Sequence, residues 1–173
     1  MARNNAFCNS FGNSSKIGSV DTSLPARILG LDHGDRRIGV AISDESGRTA
    51  QPLLTLHRTQ RRQDMRSLAR LVRRHGCTAI VVGLPLYMSG DISPRALAAQ
   101  AFAAELREEL KLPVLLWDER LSTAEAHRHL DAAGRAVKTR KAIIDQVAAV
   151  LILQSYLDAQ HGSGSPFLPD NVI

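Results

Sequence analysis

Ile28-Leu29-Gly30-Leu31-Asp32-His33-Gly34-Asp35-Arg36-Arg37-Ile38-Gly39-Val40-Ala41 is the stretch on which the reading of this chain turns. An apolar run ends on a carboxylate, a glycine turn follows, and a second apolar run begins. That pattern reads as two paired strands with Asp32 at the rim of the first. An acid in that place is a turn residue or a ligand for something cationic. An aspartate two residues before a glycine is as ordinary in an Asx-type turn as at a binding site, so local sequence does not choose.

Working outward, Asp44-Glu45-Ser46-Gly47 is a turn and residues 48–56 form a third strand, placed at an edge by Pro52. Three short strands joined by tight turns make an antiparallel meander. Residues 59–75 are helical, with Met65, Leu68, Ala69 and Val72 at i, i+3, i+4, i+7 and arginines on the other faces. Gly76 stops that helix. Residues 78–83 are an unbroken apolar run, expected for a strand covered on both faces. Pro94 follows a Ser93 cap and opens a helix to about Leu110, with Leu97, Ala101 and Ala104 expected inward. A second buried strand spans 113–117.

Ser122-Thr123-Ala124-Glu125 matches a capping box for a helix ending at Gly134. A basic turn leads into a last, largely apolar helix over about 139–160. The order is βββαβαβαα: an α/β domain whose mixed five-stranded sheet combines the meander with two parallel strands, flanked by helices. Residues 1–26 are expected to be a disordered tail, 27–160 the domain, and 161–173 a C-terminal tail.

The chain has 173 residues, enough for one domain with a sizeable core. Hydrophobic residues make up 44% and charged residues 23%, an ordinary globular mix. The formal charge of +5 and a pI of about 9.8 come mainly from clustered arginines, which suit phosphate partners as well as a plain solvated surface. Two cysteines without a Cys-x-x-Cys pair argue against a zinc site or disulfide framework and suit a reducing, cytoplasmic setting. No apolar run has the length of a membrane span.

Three acids stand where apolar residues dominate. Asp32 ends a strand, Glu119 follows the run Val114–Trp117, and Asp145 lies in the last helix. An ionised carboxylate is costly to bury without a partner, and converging carboxylates raise one another's pKa unless a cation lies between them. Mg2+ or Mn2+ resolves that conflict, and two such ions can stabilise an in-line displacement at phosphorus. Each acid also has an ordinary structural reading. Asp32 can serve the turn, Glu119 can pair with Arg120, and Asp145 can bond Lys141 one helical turn earlier.

At these residues the chain resembles the YqgF family, also called RuvX, a family of Holliday junction resolvase-like proteins. The opening motif Asp-x-Gly-x-(Lys/Arg)-x-Ile-Gly stands as Asp32-His33-Gly34-Asp35-Arg36-Arg37-Ile38-Gly39. The central loop motif stands as Gly83-Leu84-Pro85-Leu86-Tyr87-Met88-Ser89-Gly90. Asp118-Glu119-Arg120-Leu121-Ser122-Thr123 is intact, and the last motif stands as Lys138, Arg140, Lys141, Asp145, Ala148 and Ala149. Four motifs in order cover about residues 28–157.

The resemblance implies an RNase H-like fold and a cytoplasmic, metal-dependent nuclease acting at the 5′ end of precursor 16S rRNA in ribosome biogenesis. Its partner would be precursor rRNA or a ribosomal subunit precursor. Asp32, Glu119 and Asp145 would be the catalytic, metal-binding acids, with Asp118 in support and Mg2+ or Mn2+, in a two-ion form, as cofactor. Arg36, Arg37, Tyr87, Lys138, Arg140 and Lys141 would contact substrate, and Gly34 and Gly39 would keep the backbone bare around a phosphate.

Tyr87 and Ser89 depart from the family's usual Asn and Asp, which puts substrate contacts rather than catalysis in question; Tyr87 can stack on a base or pack on its own fold. His33 stands where an aromatic or aliphatic residue is usual; it can neighbour the metal site, but a local polar contact is the expected role. Competing readings are a Holliday junction resolvase, a nucleic-acid-binding module without turnover, and an actin-like ATPase, for which the chain is too short. Monomer and homodimer both fit.

Overall fold

A computed structural model of the chain describes residues 27–121 and 137–162, with side-chain surroundings for 27–120 and 144–161. The strands are β1 (Arg27–His33), β2 (Arg37–Ser43), β3 (Ala50–His57), β4 (Cys77–Leu84) and β5 (Val114–Asp118). The helices are α1 (Arg61–His75), α2 (Pro94–Leu110) and α3 (Val137–Gly162), with a 3-10 turn at Glu119–Leu121. The sheet order is β3-β2-β1-β4-β5. Antiparallel pairing joins β1 to β2 and β2 to β3, and parallel pairing joins β4 to β1 and to β5. This is the mixed sheet that the strand pattern predicts. Pro52 lies on the edge strand β3, where the register shifts between Val40 and Ala41, because proline has no N–H to give to a ladder. The helix predicted for 122–134 and both tails lie outside the described residues.

Alternation along the strands sorts side chains onto two faces. Leu29, Leu31, Ile38, Val40, Ile80 and Val82 face α1 and α2. Ala41 and Val81 face Ala149, Ile152, Leu153 and Leu157 of α3. Leu68 at the centre of α1 is fully buried, and its truncation to Ala costs about 2–5 kcal/mol. Gly76 ends α1 in the left-handed conformation at φ 64, where its N–H reaches the Val72 carbonyl. Ser93 caps α2 by accepting from the Ala96 N–H at 3.0 Å, and its hydroxyl donates to the Pro85 carbonyl at 2.5 Å, tying the β4–α2 loop to the helix start.

Two expectations fail here. On α2 the buried stripe is Ala96, Ala99, Phe102, Ala103 and Leu106, while Leu97 is 57% exposed and Ala101 and Ala104 face outward. In an alanine-rich helix both stripes look apolar, and the one carrying the larger Phe102 and Leu106 hides more surface. The strand predicted at 113–117 as fully covered is β5, the sheet's other edge, and only Val114 is buried there. No helix among the described residues is long and apolar enough to cross a membrane.

Candidate functional site

Three strand ends meet beneath the start of α3. Asp32 pairs with Gly39 across β1 and β2, and continuing the Leu31–Val82 register brings Gly83 of β4 level with Asp32. Strand alternation turns this row, Gly39–Asp32–Gly83, toward the α3 face. Both glycines are required by close approach. A Cβ on Gly39 would run into the Asp145 backbone oxygen, and one on Gly83 into the Glu119 carboxylate and Ile152. Gly30, two residues before Asp32, lets α3 down onto the sheet, since a Cβ there would lie 2.7 Å from the Leu153 Cβ. Asp145 thus stands over one neighbour of Asp32 and Glu119 over the other. Gly39 makes room for the Asp145 backbone of α3, not for the phosphate that the sequence motif implies. Gly34 shapes the hairpin, donating its N–H to the Arg37 carbonyl at 3.0 Å.

The acids feel one another. Burial, then Asp145, push the Asp32 carboxyl up from 3.8 to about 6, with Arg95 pulling it down. Burial, then Asp32, push Glu119 from 4.5 to about 7, again against Arg95, with Asp118 adding a smaller upward push. The arrangement is a line of neighbours, Asp145–Asp32–Glu119, centred on Asp32.

Arginines surround that line. Arg37 Nε lies 2.6 Å from Asp145 Oδ2, yet its N–H is not aimed at that oxygen, so Oδ2 is buried without an aligned hydrogen bond. Arg120 forks onto both Asp118 oxygens at 2.6–3.1 Å and holds that carboxyl below its usual range. Asp118 is therefore engaged with Arg120, whereas the sequence also allowed Glu119 to be the residue so paired. Arg95, in the first turn of α2, lies 3.8 Å from Asp35 and projects its charge onto both Asp32 and Glu119. Sequence reading missed it. Its only local signal is its place just after the Ser93-Pro94 cap, and the link to Asp32 exists only once α2 is packed.

The remaining expected residues fall as follows. Arg36 is exposed in the β1–β2 turn, and its carbonyl accepts from the Arg58 N–H. Tyr87 is 52% exposed, and Ser89 Oγ donates to Asp91 at 2.7 Å in the same loop. Lys138, Arg140 and Lys141 lie in the first turns of α3, with side chains outside the described residues. His33 does not make the expected polar contact. It points away from Asp32, stacks on Phe102 with centroids 4.4 Å apart, and leaves its buried Nε2 without a partner among the described residues. Burial and the nearby Arg58 lower its pKa to about 4, so it is neutral.

The donor set suits a hard divalent cation: carboxylates only, two with raised pKa, and a buried Asp145 oxygen without an aligned hydrogen bond. Among the described residues no three Asp, Glu, His or Cys side chains stand ready to hold an ion. Arg37 already occupies the Asp145 end of the line.

A five-stranded mixed sheet in the order β3-β2-β1-β4-β5, with Asp32 near the end of its central strand and Asp118 and Glu119 where the edge strand β5 ends, has the RNase H-like fold. Within it, the chain belongs to the RuvX family, whose model, described as Holliday junction resolvase, matches residues 26–159. It is 51% identical over 136 residues to a Geobacillus kaustophilus protein named "Putative pre-16S rRNA nuclease", covering 78% of this chain and 99% of that one. A Moorella thermoacetica protein of the same name is 50% identical over 132 residues, 76% of this chain and 94% of its own. Among solved structures, Thermus thermophilus RuvC in complex with a Holliday junction substrate superposes with a TM-score of 0.55 at 11% identity, covering 80% of this chain and 97% of that one. At that identity the likeness speaks to the fold.

Proposed function

We propose that this chain is a divalent-metal-dependent nuclease that hydrolyses phosphodiester bonds in precursor 16S rRNA, at its 5′ end, during ribosome biogenesis in the cytoplasm. The observation that carries the reading is the row Gly39–Asp32–Gly83 with Asp145 over one glycine and Glu119 over the other. Two glycines are kept bare so that two more acids can crowd a buried one. A fold gains nothing from that crowding by itself, and a cation between the acids offsets its cost.

In this reading Asp32, Glu119 and Asp145 hold Mg2+ or Mn2+, with Asp32 central to a two-ion arrangement and Asp118 kept in reserve by Arg120. The bound ion would neutralise the carboxylates and stabilise negative charge developing at phosphorus. Arg95, whose charge acts on the same two acids, donates to the phosphate under attack. Arg36, Arg37, Lys138, Arg140 and Lys141 hold flanking phosphates, and Tyr87 offers a face on which an unpaired base stacks. Residues 27–160 act as one domain.

The test is parallel incubation of the purified protein with precursor 16S rRNA, unrelated single-stranded RNA and a four-way DNA junction, with Mn2+ and with EDTA. Mn2+-dependent cleavage near the 5′ end of the rRNA supports the reading. The family's description favours a second one, junction resolution, which predicts cleavage of the four-way junction in preference to rRNA. Failure to cut any of the three substrates sinks both.

A further inference from the structure

Helix α1 carries charge that its own fold does not use. It buries Met65, Leu68 and Val72, which leaves Arg62, Arg66, Arg70 and Arg73 exposed at i, i+4, i+8 and i+11 along the helix. Among the described residues none of these four has a carboxylate partner; Arg70 reaches only the Ser67 hydroxyl. Several arginines elsewhere are paired: Arg27 with Glu45, Arg37 with Asp145, Arg58 with Asp64, Arg120 with Asp118. Arg61, on the same helix, crosses to Glu105 of α2.

The ridge works against the helix that bears it. Like charges one turn apart repel, and Arg62 in the first turn opposes the helix dipole. Arg73 suits the dipole at the last turn, but Arg62 and Arg66 have no such excuse. A solvated basic face is the bland alternative, and it predicts charges scattered or interleaved with acids. Here a hollow of about 510 Å³ on one flank is lined by Gln63, Arg66, Ala69, Arg70 and Arg73, with no acid. The acids Glu105, Glu108 and Glu109 line the groove on the other flank, toward α2, which Arg62, Arg66 and Arg73 also border without an ion pair to them among the described residues.

The ridge also begins at the right end of the sheet. The Arg58 N–H donates to the Arg36 carbonyl and its Nη1 to the Gly34 carbonyl, both at 3.0 Å, which ties the approach to α1 to the turn after Asp32. From Arg62 the ridge runs about 16 Å down the helix, away from the carboxylates. Guanidinium groups stay charged and fork onto phosphate oxygens, and no aromatic group or acid on the ridge offers a base-reading contact.

We propose that Arg62, Arg66, Arg70 and Arg73 form a second RNA contact, a sequence-independent track for the sugar-phosphate backbone several nucleotides from the bond that is cut. This rests on the nuclease reading of the carboxylate line. The track makes the enzyme prefer long substrates, because a short one reaches the carboxylates without reaching the ridge.

The test is binding in EDTA, where no cleavage intervenes. Fluorescence anisotropy would follow single-stranded RNAs of about 30 and about 8 nucleotides at several salt concentrations, for wild type and the Arg62→Gln/Arg66→Gln/Arg70→Gln/Arg73→Gln variant. For the long RNA, the slope of log affinity against log salt should shrink by about 3, near 0.7 per lost contact, with at least about a tenfold loss of affinity. For the short RNA the change should stay within about twofold. If the quadruple variant does not fold, Arg66→Gln/Arg70→Gln should still shrink the slope by about 1.4. An unchanged slope in a folded variant overturns the proposal and leaves the ridge to an acidic protein partner; equal losses on long and short RNA overturn it as well. Wild-type protein that binds as expected yet cuts nothing with Mn2+ supports the track and removes the nuclease reading.

Discussion

Asp145 of α3 packs its backbone oxygen against the bare Cα of Gly39, which is the strand partner of Asp32. That contact sets how closely two acids from opposite ends of the domain approach each other. It explains why the Asp32 carboxyl responds to Asp145, and why Arg37, two residues before Gly39, reaches the Asp145 side chain.

Gly39→Ala should therefore damage the site more than the fold. The added methyl must push α3 away from β2, an overpacking cost of about 1–3 kcal/mol. Melting temperature should drop by a few degrees, and stabilisation by Mn2+ should shrink with Mn2+-dependent cleavage. Full retention of both metal effects would show that Asp145 does not take part.

Asp32→Asn should abolish cleavage while stabilising the metal-free protein at pH 8. The substitution removes the central charge of the line, relieving both its burial cost and its repulsion of Glu119. Thermal melts in EDTA should show a higher midpoint than wild type, and Mn2+ should no longer raise it. A variant that is less stable in EDTA and still cuts RNA contradicts the assignment.

Stability of the metal-free protein should depend on pH in a stated direction. Asp32 and Glu119 have folded pKa values of about 6 and about 7, above their ordinary 3.8 and 4.5. The folded state therefore holds protons that the unfolded chain has released. Their contribution is fully present below about pH 4 and is lost as pH rises through 6 and 7. A divalent ion competes with those protons, so the Mn2+-induced rise in melting temperature should be larger at pH 8 than at pH 5. Equal shifts at the two pH values would place the ion elsewhere.

Arg95→Ala should slow cleavage by about 100- to 1,000-fold, as expected on removing one donor to a reacting phosphate. Its charge lowers both carboxyl pKa values, so its loss should also move the acid limb of the pH–rate profile upward. Arg95→Lys keeps the charge but not the fork, and should restore the pH limb more fully than the rate. A rate loss without movement of the limb would make Arg95 a substrate contact only.

Much of the fold was legible because it rests on local chemistry. Pro52 marks an edge strand, Ser93 and Pro94 open a helix, and Gly76 closes one within a residue or two of the expected place. The face of α2 was not legible, since alanines at every turn make two stripes nearly equal and only packing on the sheet separates them. His33 misled for a related reason. Its polarity suggested a polar partner, while strand alternation delivers it to Phe102 on the face opposite Asp32.

The sequence by itself determined the strand and helix order, the motifs that mark the family, and the acids that stand out against apolar surroundings. These follow from side-chain periodicity and backbone preference, which act over a few residues. Only the tertiary structure decided which acids are neighbours. Asp32 couples to Asp145 and to Glu119, while Asp118, one residue from Glu119, turns to Arg120. It alone set Arg95 where its charge acts on both Asp32 and Glu119, and left Arg62, Arg66, Arg70 and Arg73 of α1 without a carboxylate partner among the described residues. Charge acts through space, so its consequences appear only when distant segments are folded against one another.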